Sequence, residues 1–348
     1  MKQEENRLNY GLISKYRPVL MAVAILLIMF CHLDVAQSHN GLDRTRVARI
    51  LQTGSIGVDI FLLLSGIGLY FSYTKKRMPY PAFEKKRLLR ILPSYFVIGG
   101  ITYLLYDILI RGLSFGEFVR DLFFITWLID GGTRYWYVLA ICVFYLLFPL
   151  LYSFIHGGSK PLLKTLLFGA VWFVAAELLC HASSTVNHFR IALCRLPIFM
   201  LGIYTGKLAH ENKPIKGAFP WIFALTGFFL LAVQKRGLPS SLVHYLHYPI
   251  RGALAISIIA VVILLMELLE KNVPKLHAGL NKALGWYGGL TYELYLLHQS
   301  YLILFEYPYQ PLSYFLVAVL LPTITAAGIY WVREALKKRR THESIQHL

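Results

Sequence analysis

Apolar residues in this chain do not alternate with polar ones; they come in long runs separated by short polar connections. Runs of about 18 to 22 residues match what a helix needs to cross roughly 30 Å of hydrocarbon at about 1.5 Å per residue. They fall near 18–36, 54–73, 91–110, 134–155, 161–180, 190–209, 218–234, 249–270, 285–305 and 312–333. The pattern therefore predicts an all-α, polytopic transmembrane helix bundle of about ten spans. Helices that are apolar on every face lose their amphipathic signature, so the pattern gives the order of spans and not the faces that pack. One stretch breaks the rule. "FVRDLFFITWLID" (Phe118 to Asp130) is apolar but too short and interrupted to span, which predicts an interfacial or re-entrant helix. Irregular backbone at membrane depth survives only against protein or a water-filled cavity, so this segment points to a cavity on the outer side.

No soluble domain is left over, and the expected organisation is one integral-membrane domain over 1–348. Residues 1–16 form a cytoplasmic N-terminal segment and 334–348 a basic cytoplasmic tail. The first apolar run lacks a small-residue cleavage site and is expected to be retained as a helix. A composition of 57% hydrophobic and 15% charged residues agrees with a bilayer as solvent. The formal charge of +17 does not indicate nucleic acid, because the basic residues cluster in short connections such as "YTKKR", "EKKRLLR" and "KKRR". Those clusters fall on one side if spans alternate, which places both termini in the cytoplasm by the positive-inside rule. The connection from Gln37 to Thr53 would then lie outside with Arg44, Arg46 and Arg49, either as a solvated loop or to bind an anionic or polyhydroxyl acceptor. Cys31, Cys142, Cys180 and Cys194 lie in or beside spans without CxxC spacing, so no metal site and no disulfide framework is expected.

Polar side chains inside spans are costly, and each is a functional candidate against a helix-packing role. His32 ends the first span in "AILLIMFCHLD", and imidazole accepts a proton near neutral pH. Asp59 begins the second span from the same side in "GVDIFLLLSG", so antiparallel neighbours would bring it level with His32 to orient the ring. Asp34 is the other carboxylate available for that task. Arg87 and Arg90, three residues apart, share a helical face next to Lys75, Lys76, Arg77, Lys85 and Lys86. Guanidinium forks bind phosphate in bidentate fashion, so a phosphorylated cytosolic ligand suits them. A third group, in "LGWYGGLTYELYLLHQS", holds Glu293 and His298, whose spacing sends each toward a different neighbour. Gly288 and Gly289 there allow a close helix approach.

In these stretches the sequence resembles the acyltransferase-3 group of integral-membrane acyltransferases, typified by bacterial O-acetyltransferases that decorate surface polysaccharides. The resemblance covers essentially the whole chain. It rests on the order of "LLIMFCHLD", "GVDIFLLLSG", "KRLLRILPSYF", "YWYVLAICVFYLLFP" with Trp136, "RLPIFMLGIYTGK" and "LGWYGGLTYELYLLH". It implies that acetyl-CoA or another acyl-CoA is the donor from the cytoplasm, with a carbohydrate or glycan hydroxyl as acceptor at the outer face of the cell (inner, cytoplasmic) membrane. The family histidine maps onto His32, the arginine-x-x-arginine-x-x-proline pattern onto Arg87, Arg90 and Pro93, and the span-two motif onto Gly57, Asp59, Phe61, Ser65 and Gly66. Many members carry an arginine eleven residues before the histidine. Here that position is Met21, and Arg17 stands one helical turn earlier on nearly the same face.

Together these observations predict that His32, oriented by Asp59 or Asp34, acts as general base on an acceptor hydroxyl. Arg87 and Arg90 hold the CoA phosphates, with Arg17 positioning the donor. Direct transfer and a transient acyl-enzyme both fit the residues. A proton-coupled secondary transporter would use His32, Asp59, Glu293 and His298 as relay and gate, but no internal repeat supports it. A lipid-binding structural subunit, in contact only with membrane lipids, would leave the arginine pattern unused.

Overall fold

The computed structural model describes residues 8–41, 45–132 and 134–346, the side chains of Arg49, Ser240, Ser241 and 337–346 aside. Arg44 lies outside the described residues. Helices occupy all ten expected positions, and among the described residues eight are long and apolar enough to cross a membrane. The principal helices are α1 (Arg17–His39), α2 (Gly57–Lys75), α3 (Tyr80–Tyr103), α4 (Trp136–His156), α5 (Pro161–Ala182) and α6 (Leu196–His210). They continue as α7 (Phe219–Gly237), α8 (Ser240–Asn272), α9 (Pro274–Gly289), α10 (Thr291–Leu304) and α11 (Leu321–Gln346). Proline opens α5, α6, α7 and α9 within the first two positions, where its missing N–H costs no hydrogen bond. Pro93, Pro149 and Pro249 sit inside helices, as membrane helices tolerate.

Two expectations change in detail. The span expected over 285–305 is broken: α9 ends at Gly289 and α10 restarts at Thr291, with 14 residues, too short to cross alone. The second span begins earlier than expected. A short helix Arg46–Leu51 and a 3₁₀ turn Gln52–Ile56 lead directly into α2, so that helical structure runs over Arg46–Lys75. The segment expected to be an interfacial or re-entrant helix folds as two short helices, Phe115–Leu122 and Ile125–Asp130, that do not span.

Glycines set the central contacts. A side-chain carbon at Gly57 would collide with the Ala24 carbonyl of α1, and one at Gly66 with the backbone of Phe199 and Gly202 in α6. Gly202 meets Leu63 in return, so α2 and α6 approach at backbone distance, the small-residue packing that replaces hydrophobic drive in lipid. Gly288 brings α9 against the Pro18 carbonyl of α1. The motif glycines therefore place α1, α2, α6 and α9 around one centre. Many large apolar side chains of α5, α7 and α11 remain exposed, the outward face expected for helices in lipid.

Candidate active site

A cavity of about 980 Å³ opens at the end of the bundle that carries Arg17, Arg87, Arg90 and Arg333. Glu293 is the one carboxylate on its wall, and Arg333 donates to it. Three guanidinium groups are thus left without a carboxylate partner on that wall. Arg17 lies against Gly68, where a side-chain carbon would come within 2.7 Å of its guanidinium, so the glycine makes room for the charge. Arg87 donates to the Ser72 hydroxyl and stands 5.1 Å from the Phe83 ring centroid. The buried Nε atoms of Arg17 and Arg87 have no hydrogen-bond partner. Met21 and Arg17 line the same cavity, one turn apart on α1. Arg17 therefore occupies the face on which the resemblance expects an arginine. Ser65 lines the cavity as well.

Aromatic rings close the deep end. Phe61, Tyr137 and Tyr295 line the cavity floor, with Tyr137 centred 6.2 Å from Phe61 and 5.4 Å from Tyr295. Beyond that floor lies a histidine pair. The His298 ring is 5.7 Å from Tyr295 and 5.2 Å from His32, centroid to centroid. Gln299 joins the two imidazoles, its Nε2 lying 2.9 Å from Nε2 of His32 and 3.2 Å from Nε2 of His298. Each Nδ1 faces a carbonyl one turn earlier on its own helix, His32 to Ile28 at 2.8 Å and His298 to Leu294 at 3.0 Å. A carbonyl only accepts, so both rings carry their proton on Nδ1 and present a lone pair at Nε2. One amide NH₂ has two hydrogens and satisfies both lone pairs. His32 stays partly accessible, whereas His298 is wholly enclosed.

The expected His32–Asp59 pair is not formed. Because the helix begins early, Gly57 abuts Ala24, and Asp59 lies toward the cavity end of α1 from that contact. Ala24 is eight residues from His32, about 12 Å by helical rise. Asp59 instead meets Arg195 (Nε to Oδ1 3.1 Å) and Arg251 (Nε to Oδ2 3.9 Å). Arg251 also donates to Ser55, and Trp136 stacks 5.6 Å from the Arg195 guanidinium carbon. Asp34 is buried two residues after His32, a spacing that turns it to another face of the helix. The main-chain carbonyl of Ile28, rather than a carboxylate, orients the ring. The sequence reading missed Gln299, Arg195, Arg251 and Arg333. For Gln299 a signal existed, a second polar residue directly after a span histidine.

Among the described residues no group of histidine, cysteine and carboxylate side chains is arranged to hold a metal. A family model described as an acyltransferase domain matches residues 19–332. No protein with a curated description matches, and no solved structure does.

Proposed function

From the premise that this chain belongs to that acyltransferase family, as the span motifs implied, we propose which acyl group it moves and across what boundary. The chain is a multi-pass membrane protein by its helices. In this reading it transfers an acyl group, acetyl by family expectation, from cytoplasmic acyl-CoA to a hydroxyl of a carbohydrate or glycan acceptor at the outer face of the cell membrane. The observation that carries it is the alignment of a cationic cavity, an aromatic floor and a partly accessible histidine along one line through the bundle. A long ligand with a polyanionic head and a reactive end fits that line.

Arg17, Arg87 and Arg90 would hold the phosphates, charge-assisted contacts stronger than neutral hydrogen bonds. The acyl end passes Phe61, Tyr137 and Tyr295 toward His32. The acceptor hydroxyl displaces the Gln299 amide and donates to Nε2 of His32. As its oxygen bonds to the thioester carbonyl carbon, its proton passes to Nε2, and the other proton stays on Nδ1, hydrogen-bonded to the Ile28 carbonyl. Collapse of the tetrahedral intermediate breaks the carbon–sulfur bond, and the imidazolium returns the proton to the leaving thiolate. Asp59 supports this line indirectly, as the counter-charge that holds Arg195 and Arg251 in place. Asp34 has no assigned step.

The test is acetyl-CoA consumption by the purified full chain in lipid nanodiscs with a panel of sugar acceptors. Acceptor-dependent release of free CoA that His32→Ala removes while CoA binding persists is the expected result. Absence of acyl-CoA binding by the wild-type chain would leave the reading without a donor.

A further inference from the structure

Helices consecutive in sequence usually neighbour one another, yet α7 does not close on α6. It packs along α8, where Gly227 admits the backbone of Leu254 and the Ser257 hydroxyl donates to the Phe223 carbonyl at 2.6 Å. Between α6, the first turns of α7, α8 and the N-terminal stretch 8–13, which pairs with the α6–α7 connection, remains a groove of about 570 Å³, walled by side chains such as Leu201, Leu208, Phe223, Ile256 and Leu264. Along α8 it runs from Ile256 to Leu264, about 12 Å by helical rise, most of the roughly 15 Å depth of one leaflet's hydrocarbon. Its inner end is Leu63 of α2. Its mouth is the connection between α6 and α7, at the same end of the bundle as the cationic cavity.

The mouth is polar in a specific way. Lys216 lines it and is exposed, with no ion pair among the described residues, whereas its neighbour Lys213 pairs with Glu211 at 3.4 Å. Tyr10 and Tyr204 also line the groove, and neither hydroxyl has a hydrogen-bond partner among the described residues. We propose that the groove is a lipid site that holds one acyl chain of an anionic phospholipid from the surrounding leaflet, with the phosphate at Lys216. An apolar space of this size gains nothing from water, which needs several polar partners. A chain open to lipid at one side and one cation at the mouth match a phospholipid in both length and charge. The groove and the donor cavity lie on different faces of α2: Leu63 borders the first, and Ser65 and Gly68 border the second. The lipid site therefore stands independently of the acyl-transfer reading.

Native mass spectrometry of the full chain tests it, after exchange into mild detergent doped with either phosphatidylglycerol or phosphatidylcholine. One phosphatidylglycerol per chain is expected to be retained, in about fivefold preference over phosphatidylcholine, the scale of a single lysine–lipid charge contact. Lys216→Glu should erase the preference without changing thermal stability. Ala260→Phe, which fills the groove from α8, should lower retention of both lipids, with circular dichroism showing an intact helical fold. Equal retention of the two lipids by the wild-type chain overturns the proposal. So does undiminished retention in folded Ala260→Phe, or recovery of acyl-CoA rather than phospholipid from the groove.

Discussion

Arg195 and Arg87 are both nearly enclosed, at 5% and 9% exposure, yet their surroundings differ in kind. Arg195 is locked on a carboxylate, with Asp59 at 3.1 Å and the Trp136 and Tyr248 rings against its guanidinium. Arg87 has a serine hydroxyl and a phenylalanine ring, and its Nε is unsatisfied. A buried charge with an ion-pair partner is part of the scaffold; one that faces an open cavity with no carboxylate hydrogen-bonded to it suits an anion that arrives from elsewhere. The same residue type thus serves architecture near Asp59 and, in the proposed function, would serve ligand binding at the cavity mouth.

The largest effect should come from the proposed base, which neither arginine set contacts. In the proposed mechanism, replacing His32 with alanine removes the proton acceptor, and general-base catalysis is typically worth about 10²- to 10⁴-fold in rate. Turnover with acetyl-CoA and a working acceptor should fall by that factor, while equilibrium binding of CoA to the cavity holds. A His32→Ala chain that retained wild-type turnover would move the base elsewhere.

Next comes the structural arginine. Asp59→Ala strands Arg195 and Arg251 in the bundle, and breaking one partner of a buried pair typically costs about 3–5 kcal/mol. The melting temperature in detergent should drop markedly. Combining Asp59→Leu with Arg195→Met should recover part of that loss, because no lone charge remains at the closer contact. If Asp59→Ala melted like wild type but lost turnover alone, Asp59 would belong to the chemistry instead of the scaffold.

The cavity arginines should behave the other way round. Arg87→Ala gives up charge-assisted hydrogen bonds of about 1.5–3 kcal/mol, or roughly 10- to 100-fold in CoA affinity. Its melting temperature should stay near wild type, since no carboxylate among the described residues hydrogen-bonds to Arg87. Isothermal titration with CoA reads both variants directly. A stability loss equal to that of Asp59→Ala would erase the distinction between the two arginine sets.

Which of these features the sequence disclosed follows from what a sequence encodes locally. Span positions were legible because each is a contiguous run, and the Arg87 and Arg90 pair was legible because three residues fix a helical face. The motif glycines were visible as glycines, but only packing shows that Gly57 meets Ala24 and Gly68 makes room for Arg17. The pairing of Asp59 was misjudged because it depends on where α2 begins. The added turns over Arg46–Ile56 moved its carboxylate out of reach of His32 and into reach of Arg195, 136 residues away in sequence. Partners this distant leave no trace in spacing. Gln299 was overlooked for a different reason: an amide beside a histidine is common, and only the second ring at 5.2 Å turns it into a bridge.

That bridge yields the smallest predicted effect and the finest division of labour. The Gln299 amide occupies Nε2 of His32, the lone pair that the proposed acceptor would use. Removing it with Gln299→Leu frees the lone pair but also loosens the ring, and a neutral hydrogen bond contributes only about 1 kcal/mol, so turnover should change by no more than about tenfold. Gln299 does not line the cationic cavity, so the affinity for CoA should be unchanged. His298→Leu removes the second anchor of the same amide. If Gln299 acts by linking the two rings, the double variant Gln299→Leu/His298→Leu should show no further loss beyond the larger single effect, because interacting residues are non-additive. Strict additivity of the two losses would mean that the histidines act separately, and that His298 serves the bundle through packing alone.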